Sequence, residues 1–364
     1  MGQRLYLGLV HLLRLVWDLS KPLLLRLWPR LSRGDAAAPD VELASNKNNN
    51  NNNAAPEPLP LPREAAHATA DSFIDALQYE RVANLASRYN GGTPCHVLYH
   101  LCGSFNACFF VEFAECRTRW TVRVPIEPSL HKPWEKLQSE VATLNYIRAH
   151  TTIPVPVVHA FGRDAVLTNN ESQCQIFLIS SMIPGRPLTD PVMEILYQAD
   201  DATKKQFFLQ LIDYLAQLRG LTFPKPGSLM LTTSEEPLLG APLSIIADEH
   251  RSELPSMTTA TEYMRAQHQL LTQDVATPEP KFSEDDYRYE LFALHTMREQ
   301  FDQFIQEPLE AGPFILHHPD MQPCNIIVDD DLKIQGIIDW EFTHTVPLQL
   351  FTPPLWTPAR RDCA

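Results

Sequence analysis

The sequence predicts an α+β fold of two lobes, a small antiparallel sheet first and a helix-rich part second. Between residues 96 and 126, short runs alternate apolar and polar residues and are broken by turns, the pattern of half-buried strands. Beyond residue 184 the apolar residues recur instead at helical spacing. A third observation lies near the end: "ILHHPDMQPCNIIVDDDLKIQGIIDWEF", residues 315–342, sets a His, an Asp, an Asn and a second Asp at fixed intervals between apolar runs.

With 364 residues, 44% of them hydrophobic, the chain can bury a sizeable core. Its formal charge is −14, unevenly spread: residues 1–34 hold six Lys/Arg and one acid, leaving the remainder with 24 basic and 43 acidic residues. That acidic body would repel a phosphate backbone, so no nucleic-acid partner is expected. It is compatible with a cationic small molecule. The seven cysteines show no metal-finger or CxxC spacing, which predicts a reducing compartment and mostly buried thiols.

Taken in order, residues 1–32 form an amphipathic basic segment in which Arg4, His11, Arg14, Asp18 and Lys21 make one polar stripe. Three readings fit it: an organelle presequence, a helix on a membrane surface, or a segment docked on the protein. The protein is accordingly expected in the cytoplasm or mitochondria and not secreted, with membrane-surface contact through residues 1–30 as one option. Residues 33–66 include a run of six Asn and read as a disordered linker. The first lobe is placed at 67–183. It opens with one helix from Asp71 to a glycine stop at Gly91, with Phe73, Leu77 and Leu85 on one face. Strands follow at "CHVLYHL", "ACFFVEF" and "RWTVRVPI". In the last, Trp120, Val122 and Val124 share one face and Arg123 points from the other. The helix "WEKLQSEVATLNYIRAH" buries Leu137, Val141, Leu144 and Ile147 with Glu140 beside them, and the strand "QIFLISS" ends the lobe. The second lobe, 184–364, contains a helix burying Phe208, Leu211, Ile212 and Leu215. Another opens at Ser283 and carries Tyr287, Leu291, Leu294, Phe301 and Ile305.

In the stretch 315–342, Pro319 and Pro323 keep His318, Asp320 and Asn325 on a loop. "IIV" and "KIQGIID" read as a hairpin around "DDD" that delivers Asp339 to the end of its second strand. One Asp and one Asn on a loop, with another Asp on the adjoining hairpin, suit phosphoryl transfer. A carboxylate can orient a hydroxyl while Asn and Asp oxygens hold Mg²⁺ on phosphates. Cys324, inside the loop, reads as a small packing residue, and His317 as a strand end.

The pattern HxDxxxxN followed by "IDWE" resembles the aminoglycoside phosphotransferase and choline kinase-like family, in particular its large fungal set. The resemblance spans roughly residues 90–345, with "GSFNACFFVEF", "WTVRVPI", "SEVATLNYIRAHTTIPVPVV" and "FLISSMIPGRPL" in the family's order. It implies a protein kinase-like fold and an ATP- and Mg²⁺-dependent phosphotransferase acting on a hydroxyl of a small-molecule acceptor. By the same resemblance Asp320 is the catalytic base, His318 supports its loop, and Asn325 and Asp339 are the magnesium ligands. Gly103, Ser104, Phe105 and Asn106 form the loop over the ATP phosphates, Arg123 pairs with Glu140, and the backbone at Ser181 and Met182 receives the adenine. The chain departs from protein kinases in having Arg123 for the strand lysine, a single glycine in the phosphate loop, and no APE-like segment. The alternative is a catalytically inactive nucleotide-binding or scaffold protein. Only 25 residues follow Asp339, so the resemblance also implies a shortened C-terminal lobe and helix faces without partners.

Overall fold

Alternation in "NACFFVEF" decides which way the first sheet faces. The computed structural model describes residues 63–234, 237–276, 283–354 and 356–357. Within it β1 (Cys95–Cys102), β2 (Asn106–Phe113), β3 (Arg119–Pro125), β4 (Val158–Ala165) and β5 (Gln175–Ser181) form an antiparallel sheet in the order β1-β2-β3-β5-β4. Ala107, Phe109, Val111 and Phe113 alternate onto one face and join Trp120, Val122 and Val124 in a core with Val82, Leu85 and Ala86. Those three belong to α2 (Tyr79–Tyr89). The residues between them, Cys108 and Phe110 on β2 and Thr121 and Arg123 on β3, therefore face the other way. There α3 (Pro133–His150) packs Leu137 and Val141 on Ile176 and Leu178. Strand β4 was not expected, since "VHAFGRDA" is too polar to stand out.

The single helix expected from Asp71 is two, α1 (Arg63–Asp75) and α2, and α1 begins inside the stretch expected to be linker. The chain breaks at Leu77, which is buried and forms a β-bridge with Thr168, while Gln78 N–H donates to the Leu167 carbonyl at 2.8 Å. Burying Leu77 in the sheet core outweighs continuing the helix. The basic segment 1–32 and most of the linker lie outside the described residues.

After β5 the chain turns at Gly185, whose φ is +124° and whose added Cβ would lie 2.4 Å from the Val328 carbonyl oxygen. Only glycine fits such an approach. The turn leads into β6 (Arg186–Pro187), which pairs with β11 (Ile326–Val328) of the expected hairpin; its other strand is β12 (Ile334–Ile337). The helices are α4 (Asp190–Gln198), α5 (Asp201–Gly220), the short α6 (Ile245–Glu249), α7 (Ala260–Ala276) and α8 (Glu284–Phe304). Asp200 caps α5, its side chain accepting the Thr203 N–H at 2.9 Å. Its buried face is Phe207, Leu211, Tyr214 and Leu218, one step round from the expected one, and Ile212 is 58% exposed. On α8 Leu294, Met297 and Phe301 are buried, whereas Leu291 is exposed. Smaller strands complete the lobe. A central sheet runs β13-β10-β7, from β13 (His344–Pro347), β10 (Phe314–His317) and β7 (Thr222–Phe223), and β8 (Leu229–Met230) pairs with β9 (Leu238–Leu239).

One core joins the two parts: Leu144 and Ile147 of α3, Phe207 and Leu211 of α5, and Ile326, Val328, Ile337 and Trp340 around the hairpin. Each such side chain contributes about 1.5–3 kcal/mol when taken out of water. The hairpin is thus packed into the body, and Asp339 is presented from a rigid base.

Candidate active site

The loop between β10 and β11 is built around His318. Its Nε2–H donates to the Ile338 carbonyl at 3.0 Å and its Nδ1 accepts the Asp320 N–H at 3.1 Å, so the ring is neutral with the proton on Nε2. Burial lowers its pKa and favours that form. The ring meets Trp340 edge-on at 4.7 Å, and the indole N–H is spent on the Ile337 carbonyl at 2.9 Å. Asn325, ending a single 3₁₀ turn (Pro323–Asn325), donates from Nδ2 to the Asp320 carbonyl at 2.8 Å and its carboxylate at 3.2 Å. The Ile338 N–H donates to the Asn325 carbonyl at 2.9 Å. These bonds hold Asp320, Asn325 and the segment entering Asp339 together.

Asp339 follows β12 in the left-handed region, with φ of +66°, and Phe342 repeats this at +57°. Both are uncommon for side-chain-bearing residues and locate backbone strain in "DWEF". Arg123 reaches this segment from β3. Its guanidinium pairs with Glu140 and lies 3.3 Å from Asp339 and 3.2 Å from Glu341. Burial opposes its charge, but Glu140, Glu341 and Asp339 outweigh that and raise its pKa. Burial and then the Glu341 charge push the Asp339 carboxyl up to about 7, against the pull of Arg123. Glu140 is raised by burial, with Arg123 opposing. Glu341 behaves oppositely: burial works to raise it, yet Lys136 and Arg123 hold it down to about 2.

The structure thus brings Arg123 and Glu140 together, joins Asp320 to Asn325, and places Asp339 beside Arg123. Gly103, Ser104 and Phe105 form the turn between β1 and β2, closed by Gly103 N–H donating to the Asn106 carbonyl at 2.9 Å. Asn106 itself begins β2, and its side chain goes to Glu341 at 2.7 Å. Ser181 and Met182 do stand where the sheet passes into the second lobe, but their N–H groups already donate to Val157 and Arg119 carbonyls at 2.9 and 3.1 Å. Both N–H groups are thus taken up by strand pairing. Cys324 is exposed, not packed, and of the six described cysteines, which form no disulfide, none is fully buried. Cys95 and Cys102 sit on the edge strand β1 and Cys116 in a turn, where burial is incomplete.

Three features escaped sequence reasoning. Glu341 and Lys136 form a buried ion pair; the only signal was that both flank expected site residues. An irregularity at Leu98 shifts the β1 register so that Tyr99 and Leu101 pair with Phe110 and Cys108, on the sheet face that carries Arg123. Tyr99 stacks on Phe110 at 4.6 Å, and both Tyr99 and Leu101 are exposed, an apolar surface on the same side as the charged cluster.

The family model described as "Phosphotransferase enzyme family" matches residues 104–348, more than half of the chain, a span that includes Arg123, Glu140, Asp320, Asn325 and Asp339. The chain belongs to the phosphotransferase enzyme family. Among curated relatives of this phosphotransferase-family protein is the clavilactone A biosynthesis cluster protein Y of Ampulloclitocybe clavipes, 24% identical over 231 residues, 61% of this chain and 53% of that one. The matched stretch therefore spans about half the length of that relative. Similar solved structures include a macrolide 2'-phosphotransferase type I (13% identity, TM-score 0.40, covering 74% of this chain and 73% of the other). A spectinomycin phosphotransferase in complex with ADP and spectinomycin (12%, 0.41, 75% and 72%) and a Plasmodium vivax ethanolamine kinase (14%, 0.39, 69% and 57%) are also similar.

Two observations bear on what this family member could hold. Arg123 Nε is buried with no partner among the described residues, a donor suited to a phosphate oxygen. Asp339, short of counter-charge, and Asn325 offer hard oxygen ligands, while the described residues contain no group of three or more His, Cys, Asp and Glu able to hold a metal. One or two protein oxygens completed by phosphates is how Mg²⁺ is usually held.

Proposed function

We propose that this protein transfers the γ-phosphoryl group of ATP to a hydroxyl of a small molecule. The observation that supports it is the meeting of Arg123 with both Glu140 and Asp339, while His318 and Asn325 tie Asp339 to the Asp320 loop. In this reading the apolar face of Tyr99, Leu101 and Phe110 receives the adenine and the Arg123 guanidinium binds phosphate oxygens. Asn325 and Asp339 hold Mg²⁺, which neutralises charge on the phosphates. Asp320, fixed by the His318 and Asn325 bonds, orients the acceptor hydroxyl and takes its proton as the oxygen attacks phosphorus. Domain boundaries follow the same division: a nucleotide-binding lobe ending at the turn after β5, and a lobe carrying the catalytic loop.

Asp320→Asn tests this directly. ADP release with an acceptor panel should fall by about 10²–10⁴-fold, the usual contribution of a positioned base, with ATP affinity nearly unchanged; undiminished release would sink the assignment.

A second reading, a nucleotide-binding module without transfer, is favoured by the closed β1–β2 turn, where Phe105 is 4% exposed against Phe342. ADP release that Asp339→Asn abolishes would exclude it.

A further inference from the structure

We infer that Lys136 is a positioning residue for the phosphate side of the nucleotide site, acting through Glu341; the inference rests on the phosphotransferase reading above. Lys136 lies on α3 one helical turn before Glu140, and it is only 2% exposed. A lysine is rarely buried unless paired. Its ammonium forms an ion pair with Glu341 and stands 5.8 Å from the ring centre of Phe105 and 5.4 Å from that of Phe342. The same Glu341 oxygen, Oε2, accepts from Asn106 Nδ2 at 2.7 Å and from the Arg123 guanidinium at 3.2 Å.

One carboxylate therefore gathers three side chains from β2, β3 and α3 onto the "DWEF" segment, and Lys136 pins the β1–β2 turn to it through Phe105. Charge shows why the lysine is needed. The cluster sets Arg123 and Lys136 against Glu140, Asp339 and Glu341. Without Lys136, the single Arg123 would face three carboxylates and be drawn to Glu341 and Glu140, away from Asp339 and from incoming phosphate. The turn of Gly103 to Phe105 would lose its anchor as well. The surface of Tyr99, Leu101 and Phe110 makes none of these contacts. Loss of Lys136 should then weaken binding of the phosphates and spare binding of the nucleoside.

The test titrates the full chain with ATP plus Mg²⁺ and, separately, with adenosine, following heat or ligand NMR signals. The wild type is compared with Lys136→Met, Lys136→Arg and the double variant Lys136→Met/Glu341→Gln. Lys136→Met should weaken ATP by about tenfold or more and adenosine by less than about twofold, as expected for truncating one partner of a buried charge pair. Lys136→Arg should restore part of the loss. The double variant leaves no buried carboxylate abandoned and still lacks the Lys136 anchor on the β1–β2 turn, so it tests that anchor where the single variant does not unfold cooperatively. It should be no weaker for ATP than Lys136→Met, because both changes act through one contact. Unchanged ATP affinity in the two methionine variants overturns the inference, as does an equal loss for adenosine and ATP. A wild type that binds neither ligand overturns the phosphotransferase reading, and the inference with it.

Discussion

His344 shows how far a single residue's environment controls its chemistry. Its Nδ1–H donates to the Phe342 carbonyl at 2.9 Å and its Nε2 accepts the Tyr263 hydroxyl at 2.9 Å, so the buried ring is neutral. Burial lowers the His344 pKa below 6.5 and raises that of Tyr263. In the unfolded chain the ring takes up a proton near 6.5; in the folded chain it resists, so the unfolded state binds more protons below that pH. The stability this group contributes is present above 6.5 and is lost as pH falls through the window down to the folded value. His318, also lowered by burial, acts in the same direction. Thermal unfolding at pH 7.5 and 5.5 should therefore show a loss on acidification that is smaller in His344→Gln than in the wild type. At this scale the loop of His318, Asp320 and Asn325 was legible, because the three stand at short fixed spacing. Glu341 and Lys136 were not, since 205 positions separate them and only folding brings them into contact.

Among the elements, the hairpin of β11 and β12 and the helix α3 were readable because their apolar residues recur within a few positions. α5 was readable as a helix but not as to its face. Phe207 and Phe208, and Leu211 and Ile212, are adjacent apolar pairs, and the partners on the hairpin decide which member is buried. β4 was invisible for the converse reason: its strand form comes from the ladder β5 offers it, not from its own composition. The turn at Gly185 joins these elements, and its replacement is the sharpest check on the packing. Gly185→Ala meets both the positive φ and the Val328 carbonyl, and should destabilise the fold by about 2 kcal/mol or more. Chemical denaturation would read this as a lower midpoint with an unchanged slope.

For the whole molecule, ligand linkage is the appropriate measure. ATP with Mg²⁺ at about a hundred times its dissociation constant should stabilise the native state by roughly 2.7 kcal/mol. The unfolding temperature should rise only when nucleotide and metal are both present, and a curve that neither moves would count against the nucleotide site. Several helices carry exposed apolar residues, Ile195 and Tyr197 on α4 and Leu209 and Ile212 on α5 among them. No helix among the described residues is long and apolar enough to cross a membrane. By itself the sequence determined the order of sheet and helices and the loop that groups His318, Asp320 and Asn325, because these are written in spacings of two to fifteen residues. The tertiary structure alone decided which helix faces are buried, that Tyr99 and Leu101 share the Arg123 face, and that Lys136, Arg123 and Asn106 converge on Glu341. Those outcomes depend on contacts between distant segments, where burial free energy and charge pairing override any local preference.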